Sequence, residues 1–221
     1  MNILEIYKKY QIMPNLAEHQ FTVAAVADMI CENLTLTPAL SQRERESVVA
    51  ACLLHDMGNI IKFDLAKTNS VLNINIDVEF WQKVKDDYVK KYGTDEHEAA
   101  IIIAKDLGVS DRVVELIDCI GFNTGTINAE SKDFGRKICA YSDMRVWPQG
   151  VTSLENRLAD LRKRYGNMFH QMGGDEAKRA GFENGIRKIE RQIFEHCKIK
   201  PEDITEEATA QIKERLKSFE I

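Results

Sequence analysis

Apolar residues in this chain recur three and four positions apart in segment after segment and alternate almost nowhere, which restricts it to packed helices. After Pro14-Asn15, the stretch LAEHQFTVAAVADMICENL sets His19, Val23, Val26 and Ile30 on one helical face. Ser41 and Glu44 have capping-box spacing ahead of RESVVAACLLHDMG, where Val48, Cys52 and His55 share a face and Gly58 can end the helix. This second long helix therefore finishes at a His-Asp pair. Further helices are predicted over roughly 77–91, 95–107, 110–120 and 132–146, the second ending before Gly108 and the third opening after Ser110. Thr152 and Glu155 repeat the capping-box spacing before SLENRLADLRKRYGNMFHQM, and two more helical segments follow at about 175–197 and 201–219. Only FDLAKTNSVLNINID, residues 63–77, departs from the pattern. Its alternation from Val71 to Ile76 permits a short strand, the Asn and Ser around it favour a loop, and its place after the His-Asp pair makes it the expected rim of an active site.

The expected fold is thus all-α, and 221 residues fit one domain, or one domain with an appendage. A net charge of -5 argues against a chain whose main business is coating nucleic acid. Residues 151–200 run the other way, with eleven Lys or Arg against seven Asp or Glu, a surplus that a solvated helix face accounts for. No window approaches the ~20 continuous apolar residues of a membrane span, and MNILEIYKKYQ lacks the apolar run of a signal peptide. A cytoplasmic protein with no membrane partner is expected. The five cysteines lie far apart with no C-x-x-C pair, so they read as small core side chains in a reducing compartment, leaving no thiolate to compete for a metal.

The chemistry lies in the histidines and carboxylates. His19, His55 and His97 fall on three separate predicted helices, whereas His170 and His196 sit in charged amphipathic segments and read as surface or core. One histidine on an apolar face is usually a satisfied core residue. The His55-Asp56 doublet changes that reading, because Leu53 and Leu54 lead an apolar helix straight into an imidazole and a carboxylate, two groups expensive to bury unless something pairs with them. A metal ion is the economical partner for several such groups. A mixed nitrogen and oxygen set suits manganese, iron, cobalt, zinc or nickel better than magnesium.

Three motifs in order, AEHQFTVAAVADMI with His19, CLLHDMGN with His55 and Asp56, and CAYSDMRV with Asp143, resemble the HD superfamily of metal-dependent phosphohydrolases over about residues 14 to 147. The resemblance implies an all-α HD-domain helical bundle with additional C-terminal helices. It implies that His19, His55, Asp56 and Asp143 hold a divalent metal ion and that phosphate esters are the substrates. The chain then divides into an HD metal-binding domain over 1–150 and C-terminal helices over 151–221, packed on the core and available for a homodimer interface rather than for chemistry.

The same resemblance marks where the chain departs. In the HD-x-G-K branch a lysine binds phosphate, and in the nucleotidase-like branch a glutamate acts as base; here the position is Asn59, left as a substrate contact. Asp64 matches an acid downstream of the doublet in both branches and is the candidate for orienting or deprotonating the attacking water. His97 resembles the third histidine of two-metal members, but the next segment, LIDCIGFNTG, supplies no further histidine. One metal is therefore favoured, with His97 lining the pocket as a phosphate contact. Lys62 and Arg145 are the nearest cationic candidates for the non-bridging oxygens, although Arg145, two residues after Asp143, points well away from the metal on an ideal helix. The expected substrate is a phosphomonoester of a small molecule, a nucleoside monophosphate first, with Asn69, Ser70 and Asn73 of the loop available to its other groups. A nucleic-acid polymer is not expected. Two alternatives stay open: a regulatory module that keeps the metal without turnover, and a di-iron oxygenase, against which the missing histidine counts.

Overall fold

Most helices begin where a side-chain oxygen meets their first free amides. The structure, a computed structural model, describes residues 1–36, 40–65, 76–171 and 175–221, the side chains of 165–171 excepted. Helix α1 (Ile3–Lys9) opens with a capping box in which Asn2 accepts from the Leu4 amide and Glu5 accepts from the Asn2 amide. Pro14 starts α2 (Pro14–Asn33), and Ser41 caps α3 (Gln42–Leu54). A single 3-10 turn, Asn59–Lys62, follows the His-Asp doublet. Then come α4 (Val78–Tyr92), α5 (Glu96–Asp106) and α6 (Asp111–Asp118), capped by Asp77, Asp95 and Ser110. A short 3-10 turn (Phe122–Thr124) leads into α7 (Gly125–Glu130), which is followed by α8 (Phe134–Asp143). A hairpin of β1 (Val146–Trp147) and β2 (Gly150–Val151) leads to α9 (Leu154–Gln171), α10 (Glu176–Phe194) and α11 (Glu206–Leu216).

Helices α2 and α3 form the centre. Every residue from 20 to 28 and from 47 to 55 is buried, so these helices are covered on all sides rather than on the single faces their spacing suggests. The reason is position: α3, α8 and α11 all pack against α2, and α6 and α8 against α3. Small side chains make that crowding feasible, with Ala24, Ala25, Ala27, Ala51 and Cys52 fully buried at the contacts. By contrast, α4 is amphipathic and buries Val84, Tyr88 and Tyr92 at successive turns.

Several local expectations change. The helix expected to run to 146 ends at Asp143, because Pro148 forces the preceding residue out of the helical region and a two-residue loop closes the hairpin instead. Neither expected capping box is complete. Ser41 accepts from the Glu44 amide at 3.1 Å, but the Glu44 carboxylate turns to Arg112, which also holds Asp133 at the start of α8. Ser153 rather than Thr152 caps α9, and Glu155 reaches Arg187 on α10 at 2.7 Å. Residues 66–75, which hold Asn69, Ser70 and Asn73, lie outside the described residues.

The C-terminal helices share the core of the rest. Ile186, Ile189 and Ile193 on α10 are fully buried in the same cluster as Ile3, Leu54 and Ile138, each contributing about 2 kcal/mol by area removed from water. Helix α11 packs on α2, and the buried Asp28 of α2 joins them by receiving Arg45 at 2.6 Å and also Arg215. Helices α7 and α10 meet through two glycines: a Cβ on Gly185 would stand 2.5 Å from the carbonyl carbon of Gly125. Replacing an exposed helical glycine by alanine usually gains about 1 kcal/mol. Here backbone blocks the methyl group, so Gly185→Ala is expected to lose about 2–3 kcal/mol in denaturant unfolding. A stabilised variant would show that α10 does not press on α7.

Candidate metal centre

The packing of α2, α3 and α8 against one another determines where four polar side chains meet. His19 projects from the second turn of α2, His55 caps the C-terminus of α3 with Asp56 next to it, and Asp143 is the last residue of α8. His19 Nε2 lies 3.2 Å from Asp143 Oδ1 and 3.5 Å from Asp56 Oδ2. His55 Nε2 lies 3.6 Å from Asp56 Oδ1 and 3.6 Å from Asp143 Oδ1. One ligand atom from each of His19, His55 and Asp56 falls within 4.8 Å of the others, spacing that can hold one metal ion. The His55 side chain is 4% exposed and the other three 18–19%, so the cluster is closed on one side and open to solvent on the other.

His55 carries the test of fit. Its Nδ1 lies 2.8 Å from the carbonyl oxygen of Cys52, which can only accept, so Nδ1 bears a proton and Nε2 faces the carboxylates. Nε2 is buried and has no hydrogen-bond partner among the described residues. At 3.6 Å the carboxylates attract it by charge alone. A carbonyl-anchored histidine with its other nitrogen free, opposed by two carboxylates and a second imidazole, is a set of donors that fits a divalent transition metal.

Electrostatics agree. Burial works against a charged His55, yet Asp56 and Asp143 overcome it and push its pKa up to about 9. Burial likewise works to raise the Asp143 carboxyl, but its hydrogen bond to His19 and the charge of His55 hold it well below the usual carboxylate range. Without metal, a proton takes the place of the cation.

Two further residues shape the centre that no sequence motif flagged. Gln20, fully buried beside His19, accepts the backbone N–H of Asp56 at 3.2 Å and so ties the doublet to α2. Tyr7, on α1, donates to the carbonyl of Leu53 at 2.6 Å in the last turn of α3. An amide amid the small and apolar residues of α2 was the available signal for Gln20; Asn2 and Glu5, at capping-box spacing, were the signal for α1. The turn after the doublet lies hard on α5, where a Cβ on Gly58 would meet the carbonyl oxygen of Glu96 at 2.1 Å.

The other candidates divide. Asn59 is buried in the 3-10 turn, its amide on the carbonyl of Asp56 at 3.0 Å. Lys62 closes that turn with its ammonium 3.5 Å from Glu96, and Asp64 is exposed two residues further on. His97 stands in the first turn of α5, partly exposed, with Nε2 3.5 Å from Asp118 of α6. Arg145, expected near the non-bridging oxygens, is 3% exposed and turned inward. Its guanidinium donates to the carbonyls of Thr152, Pro201 and Ile204 at 2.5, 3.1 and 3.2 Å and to the Tyr141 hydroxyl at 2.7 Å. The chain turns at Met144, leaves the helix and carries Arg145 into a knot that fastens the hairpin to the C-terminal segment.

Two outcomes follow. His55→Ala and Asp56→Ala should each lose bound metal and lower the melting temperature together, because the remaining ligands converge without a cation; full metal content by elemental analysis in both variants would remove the site. A proton on His55 below pH 9 must leave before a cation binds at Nε2, so affinity rises with pH. Between pH 6.5 and 8.5 the gain should approach about tenfold per unit, measured by calorimetry with non-chelating buffers. A pH-independent affinity would show that Nε2 is not a ligand.

Comparison with known proteins places this geometry. No curated protein and no solved structure gave a significant match. The family model for the HD domain matches residues 16–119, a span that includes His19, His55 and Asp56 and stops short of Asp143. HD domains bind divalent metals and are of the metal-dependent hydrolase type, and residues 16–119 of this chain are similar to them.

Proposed function

We propose that the protein hydrolyses a phosphate ester of a small molecule, a nucleoside monophosphate foremost, using one divalent transition metal ion held by His19, His55, Asp56 and Asp143. The observation that carries this reading is the buried, unpartnered Nε2 of His55 turned toward two carboxylates. A divalent metal bound there supplies a water of lowered pKa and polarisation of a phosphoryl oxygen.

The remaining work falls to the chain. Cys52 and Gln20 hold the doublet in place from either side. Asp64, exposed just beyond the turn, is the carboxylate proposed to orient the attacking water and accept its proton. Lys62, through its pair with Glu96, and His97, beside Asp118, both lie by the first turn of α5. That edge brings positive charge and ring N–H groups to non-bridging oxygens. Asn59, with an amide and no charge, suits a hydrogen bond to substrate and cannot serve as a base. The net charge of -5 supports a small substrate over a long polyanion, whose binding needs many cationic contacts. Among the described residues no helix is long and apolar enough to cross a membrane.

The test is release of inorganic phosphate from nucleoside monophosphates, sugar phosphates and aryl phosphates with Mn, Co or Zn. Turnover is expected, and Asp64→Asn should lower kcat by about 10²–10⁴ at unchanged metal content. No release from any ester by metal-loaded protein would turn the reading to a regulatory module, and oxygen consumption with iron to an oxygenase.

A further inference from the structure

A cleft of about 370 Å³ opens between the end of α7, the start of α8 and the last turns of α10. Lys137 lines it and is 4% exposed. Among the described residues no carboxylate stands within ion-pair distance of its ammonium; Glu130 and Asp133 attract it from further off, and the ring of Phe134 lies 5.1 Å away at its centroid. The stem is enclosed and the charged end faces the cleft. Burial, and then the charge of Lys188, lower its pKa.

Gln192 presents the opposite problem. Its Nε2 donates to the carbonyl of Ala129 at 3.2 Å, while its Oε1 is buried with no partner among the described residues. Lys132, Lys188 and His196 add positive character to the same walls; Glu130 and Glu195 oppose it, and Glu130 is already paired with Lys188 at 2.7 Å. Among the described residues the cleft thus holds one cation without a close ion pair and one acceptor without a donor. Buried polar groups are normally satisfied, and Gln192 Oε1 is the one in this cleft that no donor among the described residues meets.

We propose that this cleft is a second binding site, for a small phosphorylated molecule whose phosphate meets Lys137 and competes with Glu130 for Lys188, and whose neighbouring hydroxyl donates to Gln192. It is separate from the metal centre. Lys137 precedes Asp143 by six residues, about 9 Å along the axis of α8, and points to another side of that helix. The cleft binds its ligand whether or not the protein hydrolyses phosphate esters.

Calorimetric titration of the full-length, metal-loaded protein with inorganic phosphate and with glycerol phosphate tests this. Lys137→Met should weaken phosphate binding at least tenfold with metal content unchanged. Gln192→Leu should abolish the preference for glycerol phosphate over phosphate, and His55→Ala should leave the cleft event in place. Without ligand, Lys137→Met should melt at or above the wild-type temperature, because methionine keeps the apolar stem and drops the charge. Unchanged phosphate binding in Lys137→Met, or its loss in His55→Ala, would overturn the site. A lowered melting temperature for unliganded Lys137→Met would make the lysine structural, and acetate binding more tightly than phosphate would overturn the ligand class.

Discussion

An imidazole that is almost wholly buried at the end of an apolar helix has to be answered by its surroundings. His55 is answered on one side by the Cys52 carbonyl and on the other by two carboxylates brought from different parts of the chain. Those carboxylates require that α8 end where α3 ends, and that α2 pack against both with His19 at the same level. The crowding of small residues along α2 and α3, the docking of α1 through Tyr7 and the amide of Gln20 all serve that meeting. Much of the fold's architecture can be read as support for one charge-balanced pocket.

Much of this was legible because it is local. Asp95, Ser110 and Ser41 announce their helices by the oxygen each offers to an amide two or three residues on, and such signals need no tertiary partner. The His55-Asp56 doublet was legible for a different reason: polar groups at the end of an unbroken apolar run contradict their context. What escaped depended on distant partners. Helix α7 is six residues long with Gly125 at its start, and it is held by the approach of Gly185 from a helix sixty positions away. Glu44 looked like a cap to its own helix and instead holds Arg112, an exchange only packing could reveal.

Arg145 illustrates the same limit within the site. Two residues from a ligand in sequence, it faces the other way because Pro148 breaks the helix and the backbone turns before it. There its five N–H donors find three carbonyls and a hydroxyl, which explains why a guanidinium can be buried with no carboxylate on it. The C-terminal segment is thereby fastened directly behind Asp143.

Asp143 stands 124 residues beyond His19, and this separation governs the order of events in time. Closing so long a loop costs entropy that no local contact repays, so Asp143 arrives only after α8 has docked against α2 and α3. During synthesis, the first three ligands leave the ribosome as an incomplete set while most of the chain is still to come. A cation captured at that stage would be loosely held and readily exchanged. A cation that needs all four side chains would therefore be taken up only after α8 has docked.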